Sequence, residues 1–294
     1  MALLCVLVTA AVAIPIARPR AAAATWSYGS SDHFDVYFEG KEKDARSAAA
    51  AFEGFHTFFE RILTVQAGWR QKARLVIFAN AKEYSLYQPR TNVEAYWLGT
   101  PDGDFIALQS FDPSIWTDAI HEFTHLMIAR TGPIYPLWVN EGLAQYYSTM
   151  EMSGAKMRLG LELPSAMDTF RKSELIPLDR LFGIDRAVPA GTTPAVEAQF
   201  YAQSWALTHM LMTEAAYRPH AREVLSAIAG GMSSAEAFDA ICGKALAAVA
   251  GDLRKYLGRI RVDSTLVDAP PAPKNLAIPD RKSTRLNSSH VSES

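Results

Sequence analysis

His121-Glu122-Phe123-Thr124-His125, followed a short distance on by Trp138-Val139-Asn140-Glu141-Gly142-Leu143-Ala144, decides how the rest of this chain is read. On a helix, residues four apart lie one above the other. Both imidazoles of an H-E-x-x-H segment therefore project from one face and can share a metal ion. Glu122 lies beside that face, where it can reach an activated water without being a ligand itself. Two imidazoles leave a tetrahedral zinc short of a third protein ligand, with the fourth position open to water. Glu141 can supply the third.

The flanking sequence places the motif in mid-helix. Asp112-Pro113 offers an N-cap and a first-turn proline, and Thr131-Gly132-Pro133 is a helix stop. Between them Trp116, Ala119, Ile120, Phe123 and Met127 form an apolar stripe at helical spacing. The alternative is a helix whose two histidines are ordinary core or surface residues. The clustering of H-E-x-x-H with N-E-G argues against it.

Together these segments resemble the gluzincin metallopeptidases, and most of all the small bacterial "peptidase MA-like" proteins that carry H-E-x-x-H and then W-x-N-E-G-x-A. The motifs cover residues 121 to 144, and a weaker likeness in element order runs from about 31 to 260. The resemblance implies an α+β, zincin-like fold and one Zn²⁺ per chain, with His121, His125 and Glu141 as metal ligands and Glu122 as general base. It implies a peptide or protein substrate. Fifteen residues separate His125 from Glu141, fewer than in the large aminopeptidases, and no G-A-M-E-N-like stretch precedes the motif. An aminopeptidase of that type is therefore not expected. The chemistry also needs a donor for the developing oxyanion. Family members place it on a later helix, and Tyr201, sixty residues after Glu141, stands in that position, with His209 as the runner-up. Asp118 and Gln145, each one turn from a ligand, are candidates to orient the imidazoles. Asn140 reads as helping to fix the start of the second helix, with a simple N-terminal cap as the other reading, and Tyr146 and Tyr147 read as core.

The remaining elements frame that site. His33-Phe34-Asp35-Val36-Tyr37-Phe38 alternates as a strand does, and residues 42–63 carry Ala48, Phe52, Phe55 and Phe59 on one helical stripe with His56 packed beside it. Residues 74–78 read as a buried strand, and 96–99 with 104–108 as a hairpin around Thr100-Pro101-Asp102-Gly103. The resemblance makes 104–108 a sheet edge that pairs with substrate backbone; a plain core strand is the other reading. A second helix is expected over 137–150, loops and short helices over 151–194, a strong helix over 195–216, and two or three further helices over 219–257. The sheet should pack on the motif helix, in an N-terminal part at about 31–131. A mostly helical part at about 137–260 should follow, with the cleft between the two.

The ends of the chain are read separately. Residues 1–24 hold an apolar run too short to span a membrane, then an Ala-rich stretch, and read as a secretory signal peptide without its basic start. An exported, periplasmic or extracellular protein follows from that alone, because Cys5 falls in the signal and leaves Cys242 without an intramolecular disulfide partner. Residues 261–279 read as a Pro-rich linker. Residues 280–290, within a tail that runs to 294, match the translation of a sequencing adapter, so the natural chain is expected to continue differently after Pro279. A net charge of −2 without a basic cluster speaks against nucleic acid as a partner, and 49% hydrophobic with 20% charged residues is ordinary for a globular protein. Three readings compete: an exported zinc peptidase, a zinc-binding but catalytically idle interaction domain on the same fold, and a metal-free domain with a chance motif. Glu122 argues against the second, since a pure binding site needs no base there.

Overall fold

Alternating apolar residues build the first sheet. A computed structural model describes residues 26–63, 71–89, 93–112, 115–132, 134–184, 192–259 and 264–278. In β2 (Phe34–Phe38) the residues Phe34, Val36 and Phe38 are buried, while Asp35 and Tyr37 face the other way. Period-2 alternation permits nothing else once one face is covered. The chain then makes α1 (Glu42–Ile62), whose Phe52, Phe55 and Phe59 are buried, and returns as β3 (Ala73–Ile77), parallel to β2. A short α2 (Ala81–Tyr84), capped by the Asn80 side chain, leads to the hairpin β4 (Ala95–Thr100) and β5 (Gly103–Leu108). Gly103, at φ 124°, takes the turn conformation that a side chain would resist.

Two expectations change here. β5 pairs with β4 on one side and β3 on the other, so it is an interior strand and offers no edge to a substrate. The edge at this end of the sheet is β4. Part of the expected linker is also sheet. β1 (Ser27–Ser31), not foreseen from the sequence, pairs antiparallel with β2 and with β9 (Leu276–Ala277), giving the order β4-β5-β3-β2-β1-β9. Arg46 on α1 fastens this return segment by donating to the Leu276 carbonyl at 3.3 Å and the Ile278 carbonyl at 2.6 Å.

The chain divides into two compact units, residues 1–62, 67–119 and 270–294 in one and 63–66 and 120–269 in the other. The second unit is mostly helical. It comprises α3 (Trp116–Thr131) from Ile120 onward, α4 (Leu137–Ser148), α5 (Pro164–Phe170), α6 (Leu178–Phe182), α7 (Pro194–Thr213), α8 (Ala221–Ala229), α9 (Ser234–Cys242) and α10 (Leu246–Leu257). It also holds an unforeseen three-stranded sheet of β6 (Glu151–Ser153), β7 (Lys156–Leu159) and β8 (Thr265–Asp268), the last again from the expected linker.

The axis of this unit is α7. Every residue from Ala202 to Leu211 is buried, so the helix is wrapped on all sides and shows no amphipathic stripe. Its Gln203 side chain is satisfied internally: it accepts from the Ile176 N–H and donates to the Ile176 carbonyl, both at 2.7 Å. Trp138 at the start of α4 is fully buried against Phe182 and Phe238 and donates to Ser234 at 2.8 Å. Burying a side chain of that size stabilises a fold by roughly 2–3 kcal/mol, which fixes the end of α4 where the site is built. Among the described residues no helix is long and apolar enough to cross a membrane. The expected signal peptide (1–24) and the tail 280–294 lie outside the described residues.

Candidate metal centre

The site starts from the burial pattern of α3. Phe123, Leu126, Met127 and Ile128 are buried, which turns His121, Glu122 and His125 toward the half-exposed side of the helix. α4 brings Glu141 to the same place. His121 Nε2 and His125 Nε2 stand 3.0 Å apart, and each lies 3.5 Å from Glu141 Oε2. The three side chains are 20%, 13% and 13% exposed, shielded yet open to solvent.

Those distances can be tested against a metal. An ion bound at about 2.0–2.1 Å in tetrahedral geometry needs ligand atoms about 3.3–3.4 Å apart. The observed triangle brackets that value. Donor chemistry points the same way. His125 Nδ1 lies 3.0 Å from Asn140 Oδ1. An amide oxygen only accepts, so Nδ1 carries the proton, and Nε2, once it gives up its own proton, turns its lone pair toward His121 and Glu141. At 3.0 Å the two Nε2 atoms can share one proton between them, or both turn their lone pairs to a metal ion.

The electrostatics express the same demand. Burial disfavours a charged His125, but the Glu141 carboxylate, aided by Glu122 and Asn140, overrides it and lifts the imidazole to about 9. Burial alone would raise Glu141. The charge of His125 and hydrogen bonds from both imidazoles instead hold its carboxyl well below the usual carboxylate range. The cluster stabilises positive charge at its centre, whether a proton or a metal ion supplies it.

Gly142 explains why Glu141 can stand there. A Cβ at position 142 would lie 2.6 Å from the Ser204 carbonyl oxygen and closer still to Thr208 Oγ1. Only glycine allows α4 and α7 this approach. Further along, the Tyr146 ring meets His209 at 5.5 Å, so the contacts advance together along both helices. Tyr201, half-buried beside Phe200, lies one turn before Ser204 on α7.

Residues 115–221 match a family model described as a protein of unknown function (DUF1570). The match spans α3, α4 and α7 in full. No curated protein matches the chain.

Other candidates fall out differently. His209 is fully buried: its Nε2 donates to the Gly160 carbonyl at 2.6 Å and its Nδ1 is bonded by the Tyr256 hydroxyl. Both nitrogens are occupied in the interior, which corrects its candidacy as oxyanion donor. Asn140 is not a cap, since Pro136 holds that position; it orients His125 instead. The signal for that was its place next to a ligand. Asp118 is exposed in the first turn of α3, and Gln145 is half-buried one turn beyond Glu141. Tyr146 and Tyr147 are buried, as core residues should be.

A second group, His33, His56 and Glu60, also clusters in space. Its imidazoles stack face to face, 3.7 Å between centroids and 16° between planes. Lone pairs lie in the ring plane, so stacked rings aim theirs side by side instead of at one point. His33 is also clamped by Glu53, which accepts from its backbone N–H and holds Nδ1, each at 2.7 Å. This group is a packing cluster, as the helical stripe implied for His56.

Proposed function

We propose that this protein is a zinc-dependent hydrolase of peptide bonds, with His121, His125 and Glu141 holding the ion and Glu122 as general base. The observation that carries the proposal is the triangle of two Nε2 atoms and one carboxylate oxygen at tetrahedral spacing, open to solvent, with Glu122 adjacent on the same helix. The choice of a peptide substrate rests on the resemblance of the H-E-x-x-H and W-x-N-E-G-x-A segments. A bound zinc ion supplies Lewis acidity and brings the pKa of its water toward neutrality.

The chain's own groups supply the rest. Asn140 accepts from His125 Nδ1–H, which fixes the tautomer and holds the ring in place. The Glu122 carboxylate takes a proton from the attacking water and delivers it to the leaving amine nitrogen as the C–N bond breaks. The Tyr201 hydroxyl donates to the carbonyl oxygen as negative charge develops there. Half-burial of Glu122 and the imidazoles limits competing water around these groups.

The test is cleavage of a quenched peptide library by the wild type, Glu122→Gln and Tyr201→Phe. Removing a general base costs about 10²–10⁴-fold, and removing one oxyanion donor about 10²–10³-fold. Both variants should keep their zinc. If all three proteins hold zinc and none cleaves any peptide, the fold is a zinc-binding module without hydrolytic function and the proposal fails.

A further inference from the structure

The face of the first sheet turned away from α1 carries a second feature. Trp26, Tyr37, Phe78, Tyr96 and Phe105 wall a hollow of about 470 Å³. This lies within the roughly 300–1,000 Å³ range of small-molecule sites. The walls are braced. Trp26 meets Phe78 edge-on at 5.3 Å, Phe78 meets Tyr84 at 5.6 Å, and Tyr84 meets Tyr96 at 5.9 Å. Rings locked against one another cannot easily collapse into the space between them.

Among the described residues Arg74 is the one charged side chain in this lining. Its guanidinium carbon sits 4.6 Å from the centroid of Phe105, and among the described residues no carboxylate comes within ion-pairing distance of it. The ring face compensates part of the charge. Among the described residues the planar fork of donors meets no carboxylate, and that fork matches one in bidentate fashion. An apolar, aromatic hollow with one half-buried, acid-free guanidinium is complementary to a ligand with an apolar body and an anionic head.

We propose that this hollow binds an organic monoanion, a flat aromatic or apolar body stacked among the rings with its carboxylate on Arg74. A neutral ligand of the same shape would fill the hollow but leave Arg74 unmatched. Titration calorimetry of the full chain with 4-biphenylcarboxylate and with 4-biphenylmethanol separates the two, and the share of tryptophan quenching that Trp26→Phe removes reports on the site itself. The carboxylate should bind at least about tenfold more tightly than the alcohol, the scale of one charge-assisted pair. Arg74→Met keeps the apolar stem over Phe105 and should erase that difference without weakening the alcohol. Leu98, 47% exposed on the rim, gives a variant that leaves the core intact. Leu98→Asp should weaken the carboxylate about fivefold or more and the alcohol little. The proposal is overturned if the wild type shows no saturable binding, if the alcohol binds as well as the carboxylate, or if Arg74→Met binds the carboxylate like the wild type. Should Arg74→Met not fold, the wild-type comparison and Leu98→Asp still decide.

Discussion

Replacing Gly142 by alanine adds one methyl group where α4 crosses α7. That carbon would sit 2.6 Å from the Ser204 carbonyl oxygen, against the roughly 3.4 Å or more of an ordinary contact. A backbone carbonyl inside a buried helix cannot swing away, so the helices must part by several tenths of an ångström. Overpacking of this kind costs about 1–3 kcal/mol, and the backbone obstacle puts Gly142→Ala near the top of that range. For a chain of this size about 2–4 °C is lost per kcal/mol, so the melting temperature should fall by about 5–10 °C. Glu141 moves with its helix, and zinc affinity should drop about tenfold, as it does when the groups supporting a ligand are disturbed. Adding Thr208→Ala relieves the hydroxyl clash but not the carbonyl, so recovery should be partial. Gly251 on α10 is the control, because a Cβ there meets nothing within 4 Å. Gly251→Ala should be neutral or raise stability by up to about 1 kcal/mol, the ordinary helix preference for alanine. The measurements are thermal melts of the apo and zinc-loaded proteins and zinc competition with a chelator. A Gly142→Ala protein that melts within about 1 °C of the wild type, on the same scale, would refute the close crossing as the reason for glycine.

Three further outcomes follow from single contacts. Asn140→Leu removes the acceptor for His125 Nδ1–H and should weaken zinc binding about 10–100-fold by chelator competition, while Asn140→Asp should stay near the wild type; equal affinity for Leu would break the assigned role. Burial, with the neighbouring Glu83 carboxylate, pushes the Glu39 carboxyl up to about 7. A carboxyl raised on folding contributes stability fully present below about pH 4.5 and lost as pH rises through about 7. Melting temperature should therefore fall across that window by the equivalent of about 1–2 kcal/mol, and Glu39→Gln should flatten it; a variant that tracks the wild type at every pH sinks this assignment. His209→Phe strands the Gly160 carbonyl, leaves the Tyr256 hydroxyl with Thr213 alone, and should cost about 1–3 kcal/mol with zinc content unchanged. Undiminished stability with selective loss of cleavage would return His209 to the reaction.

What the sequence made legible follows the physics of each signal. His121 and His125 were readable because their spacing is close to the helical period, and Glu141 because a known motif marks it. α1 was readable because Phe52, Phe55 and Phe59 repeat at that period over a long segment. β5 was seen as a strand with its hairpin partner β4, yet its pairing with β3 was not, since pairing order beyond a hairpin is set by tertiary contacts and no local pattern encodes it. β6, β7, β8 and β9 are two to four residues long. Segments that short carry little periodicity, and Leu276–Ala277 becomes a strand only because β1 lies alongside and Arg46 holds its carbonyls. The role of Gly142 was invisible for a related reason: the obstacle belongs to α7, sixty residues away. Tyr201 and His209 looked alike in sequence, as aromatic donors on one helix. Burial and the partners from Gly160 and Tyr256 separate them.

The central claim is that His121, His125 and Glu141 hold one metal ion, and zinc stoichiometry tests it most directly. Elemental analysis of the full chain, reconstituted and then dialysed against a weak chelator, should give about one zinc per chain, the load of a single site. His125→Ala and Glu141→Ala should abolish it, and Glu60→Gln, in the stacked histidine cluster, should leave it unchanged. A chain that retains no zinc, or zinc that survives the loss of Glu141 and departs with Glu60, would contradict the account.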